Sequence, residues 1–166
     1  PPLQQENAME TKLNATVERV FGLLTDPRWL EARSHALGEL SAKCVVRPQA
    51  DGVKVTMNRR VHRDMNPVIA KVLNPDSDIE IVEHWSGDAK RRRATYRMTI
   101  VGKPVTVTAD IELEATGKTC VYRIKHRGDV KVPLIGGVIE RFVVGEAEKG
   151  CADELDYLVD QLKKNK

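Results

Sequence analysis

The sequence predicts an α+β fold in which a seven-stranded antiparallel sheet carries one long C-terminal helix on one face, with two short helices after the first strand. Three observations predict it. From Glu39 the apolar period falls from about 3.6 residues to about 2 and stays there for most of the next roughly ninety residues. The short segments Ser86-Gly87-Asp88, Gly102-Lys103-Pro104 and Thr116-Gly117-Lys118 separate successive runs as hairpin turns do, and sequential hairpins make an antiparallel sheet. Beyond Pro133 the apolar spacing returns to three and four. A sheet of this size must bury one face, and only the terminal helix is long enough to cover it.

Glu10 to Leu13 alternates as a short first strand, and Val17, Val20, Phe21 and Leu24 then form a helical stripe behind Thr16, whose hydroxyl suits an N-cap. Asp26 caps a second short helix with Pro27 as its first residue. Trp29, Leu30, Arg33 and Leu37 recur in it at helical spacing, and Gly38 ends it. Leu40 to Val46 is the second strand. Gln49-Ala50-Asp51-Gly52 is a turn whose glycine is expected at positive φ. Val53, Val55, Met57, Arg59 and Val61 alternate with Lys54, Thr56, Asn58, Arg60 and His62, a half-buried strand with an arginine on its inward face. Between Pro67 and Pro75 the residues Val68, Ile69, Val72 and Leu73 break the alternation and predict a short helical lid. Ile79 to Trp85, Ala94 to Val101, Val105 to Leu113 and Cys120 to Lys131 are the remaining strands.

The terminal helix, Pro133 to Lys166, has a buried stripe of Ile135, Ile139, Phe142, Val143, Ala147, Cys151, Leu155, Leu158 and Leu162. Its middle is small, with Gly145, Ala147, Gly150 and Cys151 where packing should be hardest. Each interior glycine costs about 1 kcal/mol relative to alanine. Two explanations stand: close approach of helix to sheet, or room left for a ligand beneath a roof of small residues.

The chain of 166 residues fits one domain, residues 9–166, with residues 1–8 read as a leader or cloning remnant before Met9. Its net charge of +3, from 27 basic against 24 acidic side chains, is too balanced and too dispersed to call for a nucleic-acid partner. Lys90-Arg91-Arg92-Arg93 and Lys163-Lys164-Asn165-Lys166 are read as a solvated turn and a fraying helix end. Cys44, Cys120 and Cys151 lie far apart, with no CxxC and no histidine at metal spacing. They suit buried thiols in a reducing compartment, with no metal site and no cofactor. No stretch reaches membrane length and no signal peptide opens the chain, so the expectation is a cytoplasmic protein without stable membrane insertion.

The element order and the residues carrying it resemble the START-like superfamily, also called SRPBCC or helix-grip, and within it a bacterial subfamily of unknown function. The matching residues are Val20-Phe21-Gly22-Leu23-Leu24-Thr25-Asp26-Pro27 with Trp29-Leu30-Glu31-Ala32-Arg33, then Trp85 and Gly102-Lys103-Pro104-Val105, then Val130 to Glu140 with its Pro133-Leu134-Ile135-Gly136-Gly137 core. The resemblance spans about residues 10 to 163 and its motifs are structural. It implies a curved seven-stranded sheet gripping the C-terminal helix, two small helices closing one end, and a hydrophobic cavity between helix and sheet. Members of the superfamily bind lipids, sterols, polyketides and plant hormones, and some are cyclases or ring-hydroxylating oxygenase components. The Rieske and iron ligands of the oxygenases have no counterpart in this chain.

A concave sheet under a helix is a usual small-molecule site, so the polar residues on the inward face matter most. Alternation puts Arg59, Glu83, Tyr96, Tyr122 and His126 on that face, and the helix adds Phe142, Gly145 and Ala147. Arg59 and Glu83 are expected to satisfy each other as a buried ion pair, with a ligand carboxylate or hydroxyl as the alternative partner. Tyr96 and Tyr122 read first as core rings with bonded hydroxyls, His126 as a satisfied histidine near a strand end, and Trp85 as a core anchor. His35, His62 and His84 fall on outward positions. No nucleophile motif, phosphate-binding glycine loop or metal-spaced cluster is present, and the resemblance together with the small residues of the terminal helix favours a binding role over an enzymatic one. The expected function is binding of a small hydrophobic or amphipathic molecule, lipid-like in character. The alternatives are a cyclase or dehydratase using the same chamber, and a protein-interaction module with a filled core.

Overall fold

The strands lie in the order β1-β7-β6-β5-β4-β3-β2, every neighbouring pair antiparallel. They are β1 (Met9–Leu13), β2 (Ser41–Gln49), β3 (Gly52–His62), β4 (Asp76–Gly87), β5 (Arg91–Ile100), β6 (Val105–Thr116) and β7 (Thr119–Val130). Helices α1 (Val17–Leu24) and α2 (Pro27–Ala36) connect the two edge strands, α3 (Pro67–Leu73) joins β3 to β4, and α4 (Gly136–Lys164) closes the chain. The structure is a computed structural model that describes residues 8–164. The expected leader lies outside the described residues except for Ala8, as do the last two residues of the basic tail.

Local chemistry sets the helix starts. The Thr16 hydroxyl accepts from the Arg19 amide at 3.2 Å, the Asp26 carboxylate from the Arg28 and Trp29 amides at 3.0 and 3.3 Å, and the Asn66 side chain from the Ile69 amide at 3.0 Å. Each cap satisfies amides that the first turn leaves free. α4 has 29 residues and so runs about 44 Å. It packs mainly on β7 and also on β6, burying Ile139, Val143, Cys151, Leu155, Leu158 and Leu162. This is the START-like helix-grip architecture.

Three expectations are corrected. Gly52 does not have positive φ. It is needed for close approach, because a Cβ there would fall on the carbonyl oxygen of Trp85. α4 begins at Gly136 rather than Pro133, since Leu134 has φ 67° and turns the chain before the helix can form. The basic run is not a solvated turn. Arg91, Arg92 and Arg93 start β5, and Arg92 pairs with Glu18 at 2.9 and 3.0 Å while its guanidinium stacks 4.1 Å from the Phe21 ring. Arg91 and Arg93 project from the other face toward Glu114 and the fully buried Glu112. Alternation along a strand therefore divides the run between both faces of the sheet.

Candidate functional site

Register brings the inward polar residues together. Val55, Glu83, Tyr96, Ala109 and His126 are successive cross-strand partners, one row running from β3 to β7. Tyr96 and His126 meet across Ala109 edge to face, their ring centroids 6.1 Å apart. The small alanine between them leaves the space they occupy. Arg59 lies four residues along β3 from Val55 and opposite Ile79. Tyr122 lies four residues from His126 on β7, opposite Leu113.

Two voids adjoin over this face. The inner one, about 50 Å³, is walled by Glu83, Tyr96, Tyr122 and His126 from the sheet, by Arg33 from α2, and by Ala147 and Glu154 from α4. The outer one, about 390 Å³, opens toward α3 and has an apolar wall that includes Ile79, Ile81, Met98, Ile100 and Phe142. Arg59, Tyr96, Ala147, Cys151 and Glu154 border both. Seven of the eight residues predicted from sequence thus face one void or the other. Gly145 is the exception: it is exposed, with nothing within 4 Å of where a Cβ would be, so it is not part of a roof. Phe142, Ala147, Gly150 and Cys151 supply the helix wall instead.

The expected Arg59–Glu83 ion pair is not formed. Arg59 Nη2 instead lies 3.0 Å from Glu154 Oε2, and Arg33 Nη2 lies 3.0 Å from the same oxygen. Glu83 Oε1 accepts from the Trp85 indole at 2.9 Å. Sequence reading misses Glu154 altogether and takes Arg33 only as one position in a helical stripe. The available signal is position: Arg33 shares the stripe of Leu30, and Glu154 follows Cys151 by three residues on the buried side of α4.

Each environment sets a protonation state. Burial raises the Glu83 carboxyl above its ordinary value even though the Trp85 hydrogen bond opposes the shift. Burial acts on Glu154 in the same direction, but Arg33 and Arg59 overcome it and hold the group below the usual carboxylate range. Burial pushes His126 down to about 4, so the ring is neutral at neutral pH, and it raises the phenols of Tyr96 and Tyr122. Burial also lifts Cys44 and Cys120 to about 11 and Cys151 to about 12, so all three are unreactive thiols rather than thiolates. His35, His62 and His84 are exposed, as the sequence predicts; His62 sits between Asp76 at 2.6 Å and Asp64 at 3.2 Å. Among the described residues no group of His, Cys, Asp and Glu could hold a metal ion.

Residues 8–162 match the family described as "Protein of unknown function (DUF2505)". The chain belongs to the DUF2505 family. Solved structures similar to this DUF2505 protein share its fold at low identity. A START superfamily protein from Mycobacterium smegmatis is 11% identical with a TM-score of 0.61, covering 93% of this chain and 97% of that one. A protein from Thermus thermophilus is 15% identical with a TM-score of 0.61, covering 95% and 97%. A Thalictrum norcoclaurine synthase point mutant, in complex with a transition-state analogue, is 16% identical with a TM-score of 0.59, covering 94% of each chain. Among curated proteins, the large ribosomal subunit protein uL23 of Xylella fastidiosa strain 9a5c is 29% identical over 101 residues, 60% of this chain and 100% of that protein. No helix among the described residues is long and apolar enough to cross a membrane.

Proposed function

We propose that this DUF2505 protein binds a small amphipathic, lipid-like molecule between the sheet and α4 and does not transform it. The observation that carries the reading is the outer void of about 390 Å³, within the range of ligand pockets, roughly 300–1,000 Å³. Its apolar wall from β4 and β5 suits a hydrocarbon body, and its inner end converges on Arg59, Tyr96 and Glu154, which suit a polar head. A START-like fold is consistent with ligand binding.

A catalytic reading would use Glu83, Tyr96 and His126, which share one row, and one structural neighbour is a synthase. The groups are poorly poised for it. A general base works best with a pKa near the operating pH, whereas His126 at about 4 is a weak base and the Tyr96 phenol holds its proton. Against a nucleic-acid role stands the pairing of several outward arginines: Arg91 with Glu114, Arg123 with Glu10, and Arg127 with Asp110.

The test is fluorescence of the neutral reporter N-phenyl-1-naphthylamine. Saturable enhancement with the wild type, lost in Ala147→Phe while the thermal melt stays close to wild type, is the expected outcome. Absence of enhancement, together with nothing retained in native mass spectrometry of protein from its own host, would overturn the proposal.

A further inference from the structure

The charged groups at the inner end of the cavity do not balance their hydrogen-bonding capacity. Each guanidinium carries five N–H donors, yet Arg33 and Arg59 share a single oxygen, Glu154 Oε2. Arg59 Nε reaches only the Met57 sulfur, a weak acceptor. Arg33 Nε is buried and has no hydrogen-bond partner among the described residues. Both arginine side chains are withdrawn from solvent, 10% and 9% exposed, so bulk water does not make up the difference. Glu83, the other acid facing the inner void, is engaged by Trp85 and forms no ion pair with either arginine. Two buried cations thus share one carboxylate oxygen, a combination that is costly unless another acceptor completes it.

The inner void, about 50 Å³, has room for a head group but not for a hydrocarbon body, and Arg59 and Tyr96 stand where it joins the larger void with its apolar wall from β4 and β5. Planar guanidinium forks match carboxylates better than they match hydroxyls. We propose that the ligand is an amphipathic carboxylic acid, its carboxylate held in the inner void by Arg33 and Arg59 and its apolar body laid along Ile79, Ile81 and Met98. This rests on the cavity being a binding site. A bound carboxylate would be neighboured by Glu154, already tied to both arginines, and by Glu83, which burial inclines toward its neutral, hydrogen-bond-donating form.

The experiment measures binding of decanoate, decanol and decylamine at pH 8, below their aggregation concentrations, by displacement of N-phenyl-1-naphthylamine. Decanoate is expected to bind at least about tenfold more tightly than decanol, as charge-assisted hydrogen bonds allow, and decylamine most weakly. Arg33→Gln should bring decanoate down to the affinity of decanol, Arg33→Lys should recover part of the difference, and Glu83→Gln, which keeps a neutral hydrogen-bond donor at that position, should leave decanoate binding close to wild type. Equal affinities for decanoate and decanol, or decylamine binding best, would overturn the acid assignment while leaving the cavity as a binding site. A reporter that never binds, together with nothing retained in native mass spectrometry of protein from its own host, removes both. If Arg33→Gln does not fold, the decanoate-to-decanol ratio of the wild type decides alone.

Discussion

Replacing Glu154 with glutamine tests the charge cluster that joins three elements of the fold. Glu154 Oε2 receives Nη2 of Arg33 and Nη2 of Arg59, each at 3.0 Å, so one change leaves two buried cations without a counter-charge. Removing one partner of a buried pair costs about 3–5 kcal/mol. Glu154 is 22% exposed at its side chain, which allows some hydration of the vacated site and places the expected cost at the lower end, about 3 kcal/mol. For a chain of this size, each kcal/mol moves Tm by about 2–4 °C, so Glu154→Gln should melt about 6–12 °C lower at pH 7. Circular dichroism melts provide the measurement. Because the folded-state pKa of Glu154 lies below its ordinary value, its contribution is fully present above about pH 4.5 and is lost as pH falls through the depressed folded value. The acid limb of the stability profile should accordingly be shallower in the variant. In a double-mutant cycle with Arg59→Met the two changes should couple by more than about 1 kcal/mol. A Tm within about 2 °C of wild type, or strict additivity in the cycle, would show that Glu154 does not hold the two cations in place.

His126→Gln should remove a separate acid sensitivity. The folded ring titrates near 4 against 6.5 unfolded, so between those values the unfolded chain binds more protons and the wild type loses stability as pH falls. The loss is at most about 3 kcal/mol, less with the ring's partial exposure, and stability measured at pH 7 and pH 4.5 should differ less in the variant; an unchanged difference rejects this account. Gly145→Ala should raise stability by about 0.5–1 kcal/mol, because the added methyl meets open space on an exposed turn of α4. Gly52→Ala should lower stability sharply by forcing β3 away from Trp85, and equal melting points for the two glycine variants would contradict both placements.

What is legible in the sequence is local. Alternation puts Arg59, Glu83, Tyr96 and His126 on one face because a strand's period of two is fixed by its backbone. Strand ends read too short because segments such as Asp76-Ser77-Asp78 and Arg91-Arg92-Arg93 are polar on both faces and carry no alternation, although their backbones remain paired. Composition misplaces Gly145 where angle would have placed it. At 100° per residue it lies about 200° round the helix from buried Val143, whereas Ala147 lies about 40° from it. The partner of Arg59 is not legible at all. Adjacent strands suggest Glu83, but the register offsets the two by four residues, and the residue that does reach Arg59 is 95 positions away on α4.

That distant partner bears on why the cluster exists. A buried ion group is a poor stabiliser, since well-packed apolar side chains of similar volume often do as well or better. The inner void is otherwise bordered largely by buried apolar side chains, among them Leu24, Leu30, Val55 and Ile81, and an apolar side chain at position 33 or 59 would extend that wall. Stability alone therefore does not account for two arginines there. The cluster also spans α2, β3 and α4, three of the elements around the two voids, so whatever engages its unused donors is felt by all three at once. A ligand head group at that point would tighten the helix against the sheet from inside. The arrangement suits a protein that becomes more ordered on binding, and decanoate raising the Tm of wild type more than that of Arg33→Gln at the same concentration is the result that would express it.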